Sequence, residues 1–474
     1  MSQHDPHIPA FRSRRDFLRL AGGGFGALAL SAMVAEEARG ANADPFAPKK
    51  PHFPAKAKSV IFLFMEGGPS HIDLFDHKPE LQKRAGEKLP ESFGTVVTPM
   101  GTGGNTLLAT KRKWAKHGKS GLEISDWLPH TAKCADDLCV LRACWADGLN
   151  HVGSVCQMNT GSVLAGRPCL GSWALYGLGT LNRNLPGFVV LTDGPADVSG
   201  GARNWGTGFM PATYQGTRFR GGPDPVLNLT PPADVGGDRQ KGKLELIGQL
   251  NDIYRRPRAD DNQLDARQAA YELAYRMQAS APEAVDLSKE DDATKEMYGL
   301  NEKATAEFGH RCLLARRLVE RGVRFVQVYC GAGSAWDAHS DIEGNHTRMC
   351  KRADKPTWAL LTDLKRRGLL DSTLVIWGGE FGRTPMTEGT NGRDHNPYGF
   401  SMVLAGGGVK GGMTHGTTDE FGLRGVDGRA HVHDFHATIL HLIGFDHEKL
   451  TFRHNGRDER LTDVYGKVVE EILA

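Results

Sequence analysis

Residues 373–397 have the sequence TLVIWGGEFGRTPMTEGTNGRDHNP. The stretch begins with an apolar, β-rich run (374–377), which predicts a buried strand, and two glycines then end it. In the loop that follows, we take Glu380, Arg383, Asp394 and His395 as candidate functional residues. Because ligands of an open α/β sheet bind outside the carboxyl ends of its strands, these side chains are candidates for an active site.

Three other predicted strands are followed by polar residues of similar kinds. The selected residues are Glu66 and Ser70 after strand 58–65, Asn150 and His151 after strand 138–142, and Asp337 and His339 after strand 323–330. Asp337 and His339 lie two residues apart, so both can reach one ion of Zn²⁺, Mn²⁺, Fe or Mg²⁺. Two of the selected residues have alternative roles: Ser70 also fits an N-cap, and a lone histidine such as His151 is more often packed or exposed than catalytic.

Length and charge narrow the class of protein. With 474 residues, of which 39% are hydrophobic, the chain can form one large α/β domain or two ordinary ones. The formal net charge of +2 argues against nucleic acid as an obligate partner. The longest apolar runs fall short of the roughly 20 residues that a membrane-spanning helix needs. The eight cysteines lack C-x-x-C spacing, which argues against a thiolate zinc site, whereas one or two disulfides are compatible with them.

The first 43 residues have the features of an export signal. A twin-arginine sequence, SRRDFL (13–18), precedes a small-residue apolar run (20–34) and an A-x-A cleavage site (41–43). An amphipathic N-terminal helix does not explain these three features in this order. We therefore predict a signal peptide over 1–43, the twin-arginine translocase as a partner, and a periplasmic, cell-surface or secreted protein over 44–474.

Three further segments complete the expectations for the chain. Residues 236–300 are charged and helical in pattern, which predicts a helical insertion with a solvated face. Residues 125–134 are predicted as a helix, and the Gly-rich, aromatic stretch 198–222 as a substrate or partner surface. His433 and His436 are expected to cap or pack a helix, with metal binding as the alternative.

Several motifs together resemble the alkaline phosphatase/sulfatase superfamily and, within it, the twin-arginine-exported DUF1501 family. They are SRRDFL, FMEGGPSHIDLFDHKP, LNHVGSVCQMNTG, WDAHSDIEGNH, WGGEFGRTP, RDHNP and DFHATILHLIGFD, spread over nearly the whole chain. The resemblance implies a doubly wound, mostly parallel sheet between helices, with metal ligands at the strand ends. It also implies one or two divalent ions, whose identity among Zn, Mn, Fe, Mg and Ca the sequence does not distinguish.

The same resemblance implies roles for individual residues. The implied metal ligands are Glu66, Asp337, His339, Glu380 and His395, with Arg383 stabilising the oxygens of the reacting group and Ser70, Asn150 and Asp394 near the substrate. Phe381 stands where the superfamily has a second metal-binding histidine, which weakens one of the two metal sites. His151 stands at the position of the Ser, Thr or formylglycine nucleophile, and it could serve as a covalent nucleophile or as a general acid/base.

Two functions are therefore compared. The first is a metal-dependent hydrolase of phosphate or sulfate esters on a small molecule or polysaccharide. The second is a non-catalytic envelope binding or assembly protein with the same fold, which Phe381 and the missing hydroxyl nucleophile favour. A phosphomutase-like isomerase is a weaker third reading, because its usual phosphorylated metabolites are cytosolic.

Overall fold

The computed structural model describes residues 46–194, 197–220, 225–226, 237–255 and 262–474. Residues 48–474 form a single compact unit. The predicted signal peptide, 1–43, lies outside the described residues. Within the part of the chain that is described, no helix is both long enough and apolar enough to cross a bilayer.

The strands number seventeen in the described part of the chain. They are β1 Ser59–Met65, β2 Trp114–His117, β3 Leu122–Ser125, β4 Leu138–Trp145, β5 Phe188–Leu191, β6 Thr217–Phe219, β7 Phe325–Cys330, β8 Thr373–Gly378, β9 Gly382–Glu388, β10 Gly392–Asn396, β11 Phe400–Ala405, β12 Met413–His415, β13 Thr417–Thr418, β14 Gly425–Asp427, β15 Ala430–His431, β16 Phe452–His454 and β17 Arg457–Glu459.

Nine strands form the central sheet, in the order β12-β4-β11-β8-β1-β7-β5-β6, with β15 also paired to β4. All neighbouring pairs are parallel except those of β11, which is antiparallel to both β4 and β8. The predicted α/β class with a mostly parallel sheet is confirmed. Since parallel strands have their carboxyl ends on one edge, the loops after β1, β7 and β8 meet there.

The first strand shows why the centre of this sheet forms where it does. All seven residues of β1 are buried, as expected for a strand covered on both faces by helices. Ile61, Leu63 and Met65 share a hydrophobic cluster with residues of the helices Ala306–Glu320 and Ile342–Arg366. Phe62 and Phe64 point to the opposite face of the sheet. Burial of each such aliphatic side chain contributes roughly 1.5–3 kcal/mol to stability.

The α-helices flank the sheet. They are α1 His71–Leu74, α2 Pro79–Lys83, α3 His151–Thr160, α4 Leu170–Leu178, α5 Gly237–Arg255, α6 Asn262–Val285, α7 Asp292–Met297, α8 Ala306–Glu320, α9 Ile342–Arg366 and α10 Val432–Leu442. Three of them, α5 to α7, fall in the region where the sequence pattern predicts a helical insertion.

Two expectations from the sequence are wrong. The helix predicted over 125–134 is replaced by the end of β3 and a 3₁₀ segment, Thr131–Asp137. Its start is held by Asp354, whose carboxylate accepts hydrogen bonds from the backbone N–H groups of His130 at 2.8 Å and Thr131 at 2.7 Å. The eight cysteines, moreover, are all free and buried, so the structure contains no disulfide among them.

Candidate metal centre

Four side chains from three loops meet at the carboxyl edge of the sheet. His151 is the first residue of α3, which follows β4, while Asp337 and His339 lie between β7 and α9. His395 lies on β10, which pairs with β9 directly after β8. One nitrogen or oxygen atom from each of the four lies within 4.8 Å of the others. We call these four residues the metal cluster.

The three imidazoles of the metal cluster are oriented in the same way. His151 Nδ1 lies 2.7 Å from Glu380 Oε1, His339 Nδ1 lies 2.5 Å from Glu388 Oε2, and His395 Nδ1 lies 2.9 Å from the carbonyl oxygen of Leu149. Because each of these partners accepts a hydrogen bond, Nδ1 carries a proton in all three rings, and Nε2 is the nitrogen that faces the centre and can bind a metal when it is deprotonated. Metal-binding histidines in proteins are held in this manner.

The three Nε2 atoms point at one carboxylate. Asp337 Oδ2 lies 3.1 Å from His151 Nε2, and Asp337 Oδ1 lies 3.1 Å from His339 Nε2 and 3.4 Å from His395 Nε2. In the described part of the chain, the contacts of the buried atoms His151 Nε2, His395 Nε2 and Asp337 Oδ1 are not aligned as ordinary hydrogen bonds, although Asp337 Oδ1 also pairs with Arg383 Nη2 at 2.7 Å. Poorly aligned contacts between buried polar atoms are costly, so the convergence of these atoms at one point fits a shared cation.

The charges of the metal cluster support the same interpretation. Burial raises the pKa of the Asp337 carboxyl, but contacts with the three imidazoles and with the Arg383 guanidinium outweigh burial and hold the pKa far below its usual value. Burial lowers the pKa of His151, but the close carboxylates of Asp337 and Glu380 outweigh it and raise the pKa to about 9. The arrangement therefore favours positive charge at its centre, which a proton or a metal ion can supply.

Two carboxylates predicted as ligands lie outside the metal cluster. Glu380 is fully buried and accepts hydrogen bonds from the Gly67 N–H, at 3.0 and 3.2 Å, as well as from His151. It thereby fixes the imidazole of His151 relative to the loop after β1. The carboxylate of Glu380 therefore lies one hydrogen bond behind the metal cluster, of which His151 is a member.

Glu66, the other predicted carboxylate ligand, is held by backbone groups. Its Oε1 accepts hydrogen bonds from the N–H of Ser199 at 2.7 Å and of Ser334 at 3.2 Å, and its Oε2 has no partner among the described residues. Burial, together with the negative charge of Glu380, raises the pKa of the Glu66 carboxyl to about 7, against the opposing effect of the Ser199 and Ser334 hydrogen bonds. Glu66 is therefore a carboxyl group that holds a proton up to near-neutral pH.

Arg383 is fully buried and its hydrogen-bond donors are used inside the protein. Nε donates to the Gly68 carbonyl at 2.9 Å, Nη1 to the Arg393 carbonyl at 3.1 Å, and Nη2 to the Gly67 carbonyl. Nη2 also lies 2.7 Å from Asp337 Oδ1. The predicted contact with substrate oxygens has little support from this geometry, because Arg383 instead ties the metal cluster to the loop after β1.

Of the residues predicted to contact substrate, Ser70 and Asn150 have local structural partners. Ser70 is fully buried, and its hydroxyl donates to Asp73 Oδ2 at 2.5 Å. Asn150 is the N-cap of α3, where its side chain accepts a hydrogen bond from the Gly153 N–H at 3.0 Å. This cap begins α3 at His151 and so places the imidazole at the edge of the sheet.

Asp394, the third of these residues, lies beside the metal cluster. Its carboxylate accepts hydrogen bonds from the Met100 N–H and the Thr102 hydroxyl, both at 3.0 Å, and from the His395 N–H at 2.7 Å. With His339 and Glu388 it forms a second group of potential ligand atoms within 4.8 Å of one another. Because its oxygens already have partners, Asp394 chiefly fixes the strand that carries His395.

The aromatic ring of Phe381 lies beside the metal cluster. Its ring stacks on His395 with centroids 4.4 Å apart and lies 5.1 Å from the ring of His151. An apolar ring therefore stands beside the two imidazoles, where the resemblance implied a second metal-binding histidine. The sequence interpretation did not select Glu388 or the Leu149 carbonyl, since their role depends on contacts that no motif shows.

Comparison with known proteins identifies a family. Residues 57–473 match the family model described as "Protein of unknown function (DUF1501)". No curated protein matches the chain.

Solved structures that align with this chain include a sulfatase and an alkaline phosphatase. PsFucS1 sulfatase from Pseudoalteromonas sp. is 12% identical at a TM-score of 0.38, over 90% of this chain and 72% of the sulfatase. Alkaline phosphatase from the Antarctic bacterium TAB5 is 10% identical at a TM-score of 0.31, over 74% of this chain and 92% of that one. These likenesses are distant. The family match covers nearly all of the compact unit, and the chain belongs to the DUF1501 family.

Proposed function

We propose that this protein is an exported, metal-dependent hydrolase of phosphate or sulfate esters. The observation that supports the proposal is the convergence of three Nε2 atoms on Asp337, of which those of His151 and His395 are buried and make no well-aligned hydrogen bond. Three imidazoles and one carboxylate suit Zn²⁺, Mn²⁺ or Fe better than Mg²⁺ or Ca²⁺, which prefer oxygen ligands. Such an ion would supply Lewis-acid activation of water and of the ester oxygen.

The surrounding residues restrict how this chemistry could work. His151 uses Nδ1 to donate to Glu380 and directs Nε2 toward the metal cluster, so as a ligand it is not free to accept a phosphoryl or sulfuryl group. The four residues of the metal cluster are three histidines and one aspartate, so none of them carries a hydroxyl or thiol group. Water is therefore the nucleophile in our proposal, and Asp337, held by Arg383, anchors the site.

A second candidate is supported by the number of ligands. Four protein ligands can complete a tetrahedral shell, which is typical of structural rather than catalytic zinc sites. In this case the ion would stabilise an envelope binding or assembly protein, and the apolar ring of Phe381 beside two ligands would be of no catalytic consequence. Hydrolysis requires the shell to expand or one ligand to leave.

The test combines metal analysis with ester hydrolysis. We expect about one equivalent of a transition metal in protein purified without chelator, and hydrolysis of aryl phosphate or aryl sulfate esters that His395→Ala reduces at least 100-fold. His433→Gln is the matched control, because His433 donates Nε2–H to the Gly161 carbonyl at 2.7 Å, a bond that glutamine can keep.

The outcomes separate the two candidates. Absence of bound metal in the unmodified protein would contradict both. Bound metal that is lost in His395→Ala, without hydrolysis of any ester in a broad panel, would contradict the hydrolase and support the non-catalytic protein. Equal loss of activity in His433→Gln would show that the effect is not specific to the metal cluster.

A further inference from the structure

A pocket lies at the same edge of the sheet as the metal cluster, beyond β5 and β6. Its volume is about 1150 Å³, which is enough for a ligand of several rings. Its lining includes Thr192 after β5, Arg218 and Arg220 at β6, and Leu287, Arg311 and Leu314 from the neighbouring helical segments. None of the residues that line it belongs to the metal cluster, so we treat it as a separate site and call it the arginine pocket.

Arg311 is the unusual residue of the arginine pocket. Only 5% of it is exposed, and its Nε and Nη2 atoms have no hydrogen-bond partner among the described residues. Its nearest carboxylate oxygen is Asp193 Oδ2, which lies 3.6 Å from Nη2. A buried guanidinium with unused donors is costly unless an acceptor is present, so this residue needs an oxygen-rich partner.

Asp193 cannot be that partner alone, because it is already shared. Its oxygens accept hydrogen bonds from the Gly331 N–H at 2.8 Å and the Ala332 N–H at 2.9 Å. Arg352 Nη2 also lies 3.0 Å from Asp193 Oδ2. Asp193 thus faces two guanidinium groups and two backbone donors, while Glu307 supplies a second carboxylate 2.9 Å from Arg352. The charges balance, but the oxygens of Asp193 are already taken, so Nε and Nη2 of Arg311 remain without a hydrogen-bond partner among the described residues.

The mouth of the arginine pocket adds two more guanidinium groups. Arg218 and Arg220 are exposed, and Arg218 is held by a hydrogen bond from Nε to the Thr192 hydroxyl at 2.9 Å. Two acidic residues also line the pocket, but each has a partner: Asp286 accepts from the Ser288 N–H at 3.0 Å, and Glu307 pairs with Arg352 at 2.9 Å. Arg218 also pairs with Asp197 at 3.4 Å, so Arg311 is the buried arginine of the pocket whose Nε and Nη2 donors lack partners among the described residues.

We propose that the arginine pocket binds an oxyanion, namely a carboxylate, sulfate or phosphate group, with Arg311 at its buried end and Arg218 and Arg220 at its mouth. The apolar lining from Leu287 and Leu314 suits the carbon skeleton of an organic anion such as an acidic sugar. The site does not depend on the metal cluster, and it is a binding site in either of the two candidate functions.

Calorimetric titration of the full chain with three probes tests this proposal: inorganic sulfate, a sulfated disaccharide and the same disaccharide without sulfate. We expect one of the two anionic probes to bind and the neutral sugar to bind at least 10-fold more weakly. Arg311→Met should weaken the binding of the anion about 10- to 100-fold, as expected for loss of hydrogen bonds to a charged group. The double variant Arg218→Ala/Arg220→Ala should weaken it and reduce its salt dependence.

Two control variants make the result specific. Arg453→Ala removes an exposed arginine whose neighbour is Asp458 at 3.1 Å and which does not line the pocket, so its binding should equal that of the unmodified chain. His395→Ala should bind the anion normally even where metal and hydrolysis are lost, which separates this proposal from the proposed function.

The probes also distinguish the source of the anion. Equal affinity for free sulfate and the sulfated sugar indicates a site for a free ion, and a preference for the sulfated sugar indicates an acidic carbohydrate; both support an oxyanion site. The proposal is overturned if neither anion binds, if the neutral sugar binds as tightly as the sulfated one, or if the exposed double variant binds the anion normally. That double variant decides the matter should Arg311→Met fail to fold.

Discussion

Two groups of histidines lie near the carboxyl edge of this sheet, and they differ in which ring nitrogen is left free. In the metal cluster every Nδ1 has an oxygen partner and every Nε2 points at Asp337. The second group, which we call the cap histidines, consists of His431, His433 and His436 at the start of α10. All three lie within residues 431–436, a spacing close enough to resemble a metal-binding motif.

Each cap histidine uses Nε2 to contact an oxygen on a neighbouring segment of the fold. His433 Nε2 donates to the Gly161 carbonyl at 2.7 Å, His436 Nε2 donates to the Met158 carbonyl at 2.9 Å, and His431 Nε2 lies 3.1 Å from Asp147 Oδ2. In the described part of the chain, no group of three convergent ligand atoms includes a cap histidine. The default expectation of capping and packing for His433 and His436 agrees with these contacts.

One histidine from each group shows opposite pKa shifts, although burial, Arg383 and His151 lower the pKa of His395 in the metal cluster as well. In the metal cluster, the carboxylates of Asp337 and Glu380 overcome burial and raise the pKa of His151 to about 9. Burial lowers the pKa of His436 to about 3, because only a backbone carbonyl opposes it. The partners of an imidazole, more than its depth in the protein, therefore decide whether its site favours a cation.

The largest effect is expected from removing an orienting partner of the metal cluster. Glu388→Ala deletes the carboxylate that accepts from His339 Nδ1 at 2.5 Å, so His339 loses its fixed tautomer and orientation. We expect the affinity for Zn²⁺ to fall about 10- to 100-fold, as is typical when such a partner is lost. Competition titration against a chromophoric chelator measures it.

Glu388→Gln sharpens this prediction, because an amide oxygen can still accept the hydrogen bond without supplying charge. Its Zn²⁺ affinity should lie between those of Glu388→Ala and the unmodified chain. If Glu388→Ala binds Zn²⁺ as tightly as the unmodified chain, then Nδ1 bonding does not distinguish the two histidine groups and the comparison fails.

Acid should act on the cap histidines through His436. Its folded pKa of about 3 lies below the ordinary value of 6.5, so the unfolded chain binds a proton below pH 6.5 that the folded chain does not. The stabilising contribution is complete above pH 6.5 and is lost as the pH falls, by about 2 kcal/mol at pH 5. His436→Gln should remove this part of the pH dependence.

Urea unfolding of the chelator-treated protein at pH 7.5 and pH 5 checks the prediction. The chelator removes any contribution from metal release, and other buried histidines act equally on both proteins, so the difference between the chain and His436→Gln isolates one imidazole. A difference in unfolding free energy that stays constant between the two pH values would mean that His436 titrates normally in the folded protein.

The sequence was sufficient for the strands but not for all of the irregular segments. Apolar runs predict β1, β7 and β8 because strands covered on both faces need no polar side. The stretch 125–134 has helical spacing, yet the distant carboxylate of Asp354 organises it differently. Pattern methods see only neighbours in sequence, and this contact joins positions 224 residues apart.

The same limit applies to the site. The loops that hold His151, Asp337, His339 and His395 were predicted, because polar residues after parallel strands meet at one edge. The roles were not, since Glu380 and His151 are 229 residues apart and only their contact shows which of them supports the other. Sequence thus places polar side chains at the right edge of the sheet, whereas only the directions of the side chains show that His151 belongs to the metal cluster and that Glu66 and Glu380 lie outside it.

The smallest effect is expected at the N-terminal cap of α10, where the comparison is tested through the cap histidines. Asp434 accepts hydrogen bonds from the backbone N–H of His431 at 2.8 Å and of Lys467 at 2.7 Å. Asp434→Ala leaves both donors without this acceptor and should lower the free energy of unfolding by about 1 kcal/mol, the usual cost of losing a cap.

The Zn²⁺ affinity of Asp434→Ala should equal that of the unmodified chain, because the cap histidines hold α10 in place and have no part in the metal cluster. A loss of Zn²⁺ affinity in Asp434→Ala as large as that in Glu388→Ala would mean that both groups of histidines support one site.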